Sequence, residues 1–375
     1  MCSKLFVGSF IFIFFYSSCS NPLKEDIDES ILLNTQEVLI DVPSTVTNAW
    51  DFLSEVEVND QKLLYVWDNY KKAFHKFDLS NNQHLSSIFP FQDTVAITDL
   101  VSFSKLKEGY FIDALQSFIW MDENGKVLKV WDKIFPRRNQ IPDYNYSHFL
   151  MSSSYLKHSL ITENETPLNF RMNGSLSRLP VFNKEFYEFG ILGSLNFKTG
   201  VLNRFDIRFP DNLTKDGKAF PKHYPLSFTG MEDGRIAYIF GNDEHIYVFD
   251  SQTGEHIKNL VINSEMRVSP YLVSEEDWNS PSFRENYNSN LNSYNHLYYD
   301  PYRKVYIRLL NQRINGVSNF HLEFINNKFE LLGSMPISKE YWIVPLFYSD
   351  GIYFPYRAYK EDQIKFLKVT LDLIN

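Results

Sequence analysis

Polar residues recur where short apolar runs give way to turns, and these are the first candidates for chemistry. They are Asp68 with Asn69, Asp113, Glu163 with Asn164, Asn242 with Asp243, Asn311 with Arg313, and Arg357. Each closes the second apolar segment of a repeating unit. Carboxylates, amides and two guanidinium groups gathered at one end of a fold can hold a polar ligand or a cation. Strand-to-turn junctions also favour Asp and Asn for local reasons, because their side chains bond their own backbone. Arg137 and Arg138 stand together in a further loop, and an Arg pair suits a carboxylate or phosphate ligand. Glycan hydrolysis or elimination would need two of these carboxyl groups about 5 to 9.5 Å apart.

Other chemistries leave little trace. The sequence has no Gly-rich phosphate loop, no Gly-x-Ser-x-Gly elbow and no His-Glu-x-x-His pair. Asp211-Asn212-Leu213-Thr214-Lys215-Asp216-Gly217 opens like a calcium loop, but its twelfth position is Lys222 where a bidentate Glu is needed. His75, His245, His256 and His321 fall in strand patterns and read as partly exposed rim residues. No metal and no cofactor is expected.

The N-terminus carries an address. Lys4 is the only charged residue before Lys24, and Leu5 to Phe15 form an apolar run. That run fits a secretory h-region and is shorter than the roughly 20 residues that span a bilayer as a helix. Tyr16-Ser17-Ser18-Cys19 follows, and small residues before a Cys resemble the lipobox of bacterial lipoproteins. Tyr16 departs from the aliphatic residue usual there. The resemblance implies cleavage after Ser18, acylation of Cys19 and anchoring in the cell envelope. Cys2 is the only other cysteine, so a chain cut there keeps one thiol, at its new N-terminus. That leaves no partner for an intramolecular disulfide. The polar, acidic stretch Ser20-Asn21-Pro22-Leu23-Lys24-Glu25-Asp26-Ile27-Asp28-Glu29-Ser30 reads as a solvated tether. It also resembles the export signal of Bacteroidota surface lipoproteins, which implies an outer-membrane site with possible surface exposure. The expected organisation is a signal peptide over 1–18, a tether over 19–34 and one folded domain over 35–375.

Composition bounds the fold. The chain has 375 residues, 44% of them hydrophobic and 17% aromatic, with 33 Phe and 23 Tyr. This excludes a disordered or collagenous chain. Asn occurs 32 times, and Asn is a turn former that tolerates left-handed backbone. Many short strands and many turns follow. The net charge of −9 gives no electrostatic footprint for nucleic acid.

The strands repeat. Residues 225 to 262 hold four strands of about six residues, separated by Met231-Glu232-Asp233-Gly234, Gly241-Asn242-Asp243-Glu244 and Ser251-Gln252-Thr253-Gly254. Four short strands in about 40 residues is the period of a propeller blade. The same grammar recurs at residues 63–89 and 99–131, and the last set starts at Val344. Six units are counted, the sixth with three strands only. A spare strand, Gln36 to Val42, precedes the first unit. Pairing the spare strand with the incomplete unit would remove two exposed edges. The expectation is an all-β, six-bladed β-propeller closed by an N-terminal strand. An open β-sandwich or two β domains is the alternative. Segments 155–185 and 264–293 break the period, and Arg171, Arg178, Trp278 and Tyr287 within them are candidates for a wall beside the polar ring.

Six units, the closing strand and the lipoprotein signal together resemble the TolB-like six-bladed propeller lipoproteins of Bacteroidota. Many of these belong to families of unknown function. The resemblance implies a fold and a compartment and no particular activity. The expected role is a membrane-anchored binding or scaffolding module for a glycan, a peptide or an envelope protein. A glycan hydrolase or lyase using carboxylates of the ring is the second reading.

Overall fold

A computed structural model describes residues 30–44, 50–89, 100–132 and 227–374 apart from a few loop positions, and the backbone ladders within 145–219. Strand β1 (Ser30–Asp41) opens the chain. β2 (Trp50–Val58), β3 (Gln61–Asp68), β4 (Ala73–Asp78) and β5 (Gln83–Ile88) form one antiparallel sheet. β6 (Ser102–Leu106), β7 (Gly109–Ala114), β8 (Ser117–Met121) and β9 (Val127–Asp132) form the next. β10 (Asn145–Phe149), β11 (Leu168–Ser175), β12 (Leu192–Leu195) and β13 (Leu202–Phe205) form a further ladder, and β14 (Thr214–Lys215) pairs with β15 (Lys218–Ala219). β16 (Ser227–Gly230), β17 (Arg235–Ile239), β18 (His245–Asp250) and β19 (His256–Val261) make another sheet. Helices α1 (Glu275–Asn279) and α2 (Pro281–Asn290) precede β20 (Ser293–Asp300), β21 (Val305–Ile314), β22 (Val317–Ile325) and β23 (Leu331–Ile337). β24 (Leu346–Tyr348), β25 (Gly351–Pro355) and β26 (Gln363–Ile374) complete the chain.

The spare strand finds the incomplete unit. β1 pairs with β26 antiparallel from Ser30↔Ile374 to Asp41↔Gln363, making the sheet order β1-β26-β25-β24. The two ends of the chain thus share one blade. β1 also reaches further back than the sequence pattern indicates, into the segment expected as a tether.

Blades are made by packing as well as by hydrogen bonding. The β6–β9 sheet packs on β2–β5, β2–β5 on the β24–β26 sheet with β1, that sheet on β20–β23, and β20–β23 on β16–β19. The chain is arranged as a five-bladed β-propeller, which corrects the expected six-bladed ring. Hydrogen-bonded ladders outnumber the blades, with six four-stranded sheets and one two-stranded sheet. A repeat of strands in sequence counts ladders and does not report how they are arranged in the ring.

Those cores are aromatic. Trp67, Phe74, Phe103 and Tyr110 join the first two blades, with Phe74 stacked on Tyr110 at 4.9 Å between centroids. Tyr294, Tyr299, Tyr306 and Phe329 fill the seam between β16–β19 and β20–β23. Burying such a ring stabilises by roughly 2 to 3 kcal/mol through area alone.

The inner strands are stitched across the seams. Ser54 Oγ accepts the Lys105 N–H at 3.0 Å, Ser227 Oγ accepts the Leu297 N–H at 3.0 Å, and Glu55 accepts the Phe347 N–H at 3.3 Å. Each bond runs between the first strands of adjacent blades. It satisfies an edge N–H that a sheet would otherwise leave open.

The turns explain the Asp and Asn content. Asp68-Asn69-Tyr70-Lys71-Lys72 and Asp300-Pro301-Tyr302-Arg303-Lys304 have one spacing and one geometry. The leading Asp is fully buried and accepts the N–H groups two and three residues on. The closing Lys72 (φ 52) and Lys304 (φ 56) take the left-handed conformation. At Gly109 (φ 141) a Cβ would lie 1.9 Å from the Met121 carbonyl oxygen, so only glycine fits.

Candidate functional site

First strands pack beside first strands at the seams, and the strands of each blade are antiparallel. The second strands β3, β7, β17, β21 and β25 therefore finish at one end of the propeller. The polar ring lies there in sequence position. Asp68 closes β3, Asp113 is in β7, Asp243 follows β17, Asn311 and Arg313 are in β21, and Arg357 follows β25. Three of these stand across the ladder from the start of a first strand, as Asp68↔Trp50, Asp113↔Ser102 and Asn311↔Ser293. Arg137, Arg138, Glu163, Asn242 and the acylation candidate Cys19 lie outside the described residues, as does Arg178. For Asp113 and Arg171 the strand position is described and the side chain is not.

The ring residues divide into structural and open ones. Asp68 Oδ1 accepts the Tyr70 and Lys71 N–H groups at 2.9 and 2.8 Å, and Oδ2 lies 3.3 Å from His75 Nε2. His75 is buried, not a rim residue, and burial holds its imidazole below the ordinary range against the pull of Asp68. Asn69 accepts from Lys72 Nζ at 2.5 Å. Asp243 is fully buried and holds His245 Nδ1 at 2.6 Å and the Tyr247 hydroxyl at 2.5 Å. Asp68 and Asp243 are thus turn-builders. Arg357 is exposed, with Nε donating to the Tyr341 carbonyl at 3.1 Å.

The segment that broke the period folds onto this end. Ser274 caps α1 by accepting the Asp277 N–H at 3.0 Å, and Pro281 starts α2. Trp278 meets Tyr287 edge-on at 5.6 Å, and Tyr287 is buried, so these two pack on each other. The helix then docks on the β21–β22 hairpin. Arg313 Nη1 donates to the Asn288 carbonyl at 2.6 Å, and the Arg313 N–H donates to Asn292 Oδ1 at 2.9 Å. Gly316 N–H donates to the Ser289 carbonyl at 2.9 Å. The hairpin turn is Asn315-Gly316, with φ 51 and 81. Two amide oxygens beside Arg313, Asn288 Oδ1 and Asn311 Oδ1, are buried without a hydrogen-bond partner.

Two sets of residues have no signal in the sequence pattern. Arg308 and Glu323 are fully buried and paired at 2.7 Å; the guanidinium lies 3.9 Å above the Tyr294 ring. His296 sits at a bulge of β20, half-buried, stacked on Tyr298 at 5.5 Å and 18°. Burial pushes the His296 imidazole down to about 4 and the Tyr298 phenol up. Among the described residues no group of three or more His, Cys, Asp or Glu could hold a metal.

A β-propeller with a polar, helix-capped end is the class that these features define. Residues 29–325 match the family described as domain of unknown function DUF4221, and the chain belongs to that family. A crystal structure of a DUF4221 member from Bacteroides vulgatus is similar at 16% identity, with a TM-score of 0.69 over 92% of this chain and 100% of that one. A Bacteroides fragilis protein whose name presumes export is similar at 10% identity and a TM-score of 0.51, over 91% of this chain and 95% of that one. These likenesses concern the fold. No curated protein matches the sequence.

Proposed function

We propose that the protein is a non-enzymatic binding module of the cell envelope, held to the membrane by acylated Cys19, whose ligand face is the end where the second strands finish. The helical pair α1–α2, docked on β21–β22 at that end, carries this reading. A long insertion on a rigid scaffold commonly supplies recognition. Ligand classes that suit the face are a glycan, a peptide or an envelope protein, with no nucleic acid in view of the charge of −9. The h-region and the lone Cys19 support the anchor. Among the described residues no helix is long and apolar enough to cross a membrane.

The hydrolase or lyase reading gains nothing from the geometry, because Asp68 and Asp243 are buried and committed to turn donors. An acid–base pair needs carboxyl groups open to substrate. The test is binding to an array of glycans and peptides by the parent chain and by Arg357→Ala and Asp113→Ala. Weakening by about 1 to 3 kcal/mol for each lost charge-assisted bond supports the face. Equal binding by the parent and both variants overturns it, and product release would make the protein an enzyme.

A further inference from the structure

Two histidines on neighbouring strands of one blade meet through a single hydroxyl. His75 is on β4, and His84 and Ser87 are on β5. His75 Nδ1 lies 2.8 Å from Ser87 Oγ, and Ser87 Oγ lies 3.2 Å from His84 Nε2. On its other side His75 Nε2 lies 3.3 Å from Asp68 Oδ2. A carboxylate only accepts, so His75 carries its hydrogen on Nε2. Its Nδ1 is then a bare acceptor and takes the Ser87 hydroxyl hydrogen. Toward His84 the hydroxyl can only accept, so His84 carries its hydrogen on Nε2. The chain from His84 through Ser87 and His75 to Asp68 runs in one direction and is complete when both rings are neutral.

Further protons work against this arrangement. A proton on His75 Nδ1 turns the Ser87 hydroxyl away. Protonation of both rings sets one positive charge on each strand, with the ring centroids 5.7 Å apart. Like charges facing each other across a ladder destabilise it. Burial holds both imidazoles below the ordinary 6.5, against the pull of Asp68 on His75 and of the Ser86 backbone on His84. Lys71, in the turn after β3, also disfavours the charged form of His75. Lys76 lies over the Tyr65 ring at 5.8 Å. Asp41 of β1 is bonded to Asn82, just before β5, at 2.8 and 3.1 Å. Val66, opposite His75 in the β3–β4 ladder, belongs to the apolar seam with Val42 and Phe366. Strand β5 is poorly placed to resist a push. It is the outermost strand of its sheet, it pairs with β4, and none of its residues is fully buried.

We propose that the Asp68–His75–Ser87–His84 chain is a pH-sensitive latch that fastens β5 to β4 while both imidazoles are neutral and releases the strand on acidification. The latch goes beyond the binding reading of the polar end and does not depend on it. Because both folded values lie below 6.5, its contribution is complete above pH 6.5 and is lost as pH falls through them. The experiment is amide hydrogen exchange of the full chain at pH 7 and pH 5, for the parent, His84→Gln and Ser87→Ala. Rates are converted to protection factors, so that the intrinsic pH dependence of exchange cancels. In the parent, protection over residues 83–88 should fall about tenfold or more at pH 5, while protection over residues 63–67 of β3 holds. In His84→Gln one charge is gone, and the fall over β5 should be less than about threefold. Ser87→Ala should lower protection of β5 already at pH 7. Melting temperatures at pH 7 check that each variant is folded. Ring NMR signals of the parent need no variant, and both histidines should titrate below 6.5. Unchanged protection of β5 in the parent overturns the latch. So does an equal loss in the parent and in His84→Gln, an equal loss in β3 and β5, or either ring titrating above 6.5.

Discussion

Arg308 and Glu323 face each other across β21 and β22, Nε to Oε2 at 2.7 Å, with both side chains wholly removed from solvent. Around them Ser264 Oγ donates to Glu323 Oε1 at 2.5 Å, and Arg308 Nη1 donates to the Glu244 carbonyl at 3.2 Å. The pair fixes the seam between β16–β19 and β20–β23, because Ser264 and Glu244 both belong to the β16–β19 side. The loop held by Glu244 is the one that carries Asp243, so the pair also sets the position of the polar end.

Breaking this pair on one side leaves an uncompensated buried charge. Glu323→Leu or Arg308→Met alone should each lower stability by about 3 to 5 kcal/mol. The double variant should recover most of that loss, since an apolar pair of similar volume removes the desolvation cost. Urea unfolding of the four species gives the coupling. Additive losses in the double variant would show that the two groups act independently.

Closure by β1 is equally testable. Twelve residues pair with β26, and Ile40 and Val42 are buried against Leu346, Tyr353 and Phe366. Deleting residues 35–43 should lower stability by several kcal/mol through lost apolar burial and ladder bonds. It should also expose β26 as an edge, so aggregation should rise. A truncated chain that melts with the parent would show that β1 is dispensable.

Much of this blade was legible because it rested on arithmetic: one unit had three strands and one strand had no unit. The blade count was not, because strand periodicity counts ladders and says nothing of how they are arranged in the ring. Arg308 was invisible for a related reason. Within Val305-Tyr306-Ile307-Arg308-Leu309-Leu310 a charge reads as a solvent-facing interruption, and only the opposing Glu323, fifteen residues on, makes it a core residue. Helix α2 hid behind its composition, since Asn and Ser are weak helix formers and the segment has no apolar stripe. Its start was written in Ser280-Pro281. Asp68 closes β3 and Asp243 lies in the turn after β17, and both carboxylates accept N–H groups of their own turns, as Asp at such junctions commonly does.

The proposed anchoring rests on Cys19 alone. Acyl chains hold a protein by burying methylenes at roughly 0.8 kcal/mol each. Cys19→Ala should therefore move the protein from the membrane pellet to the soluble envelope fraction, with the propeller's melting unchanged. Persistence in the pellet after an alkaline wash would remove the lipid anchor from the account.

His296 should make stability depend on pH. Its folded value, about 4, lies below the ordinary 6.5 because burial disfavours the imidazolium. The unfolded chain thus binds a proton over a range where the folded one does not, and protonation favours unfolding. The stabilising contribution is complete above pH 6.5. It is lost progressively as pH falls from 6.5 toward 4, and then levels off. The difference of 6.5 − 4 bounds the effect at about 3 kcal/mol, and solvent reaching the half-buried ring reduces it. His75 shifts in the same direction and adds to the slope, so the two must be separated. His296→Phe keeps a ring on Tyr298 and removes the titration. Urea midpoints at pH 7 and pH 5 should fall less in this variant than in the parent. An identical drop in both would place the acid sensitivity elsewhere, with His75→Gln as the next variant to measure.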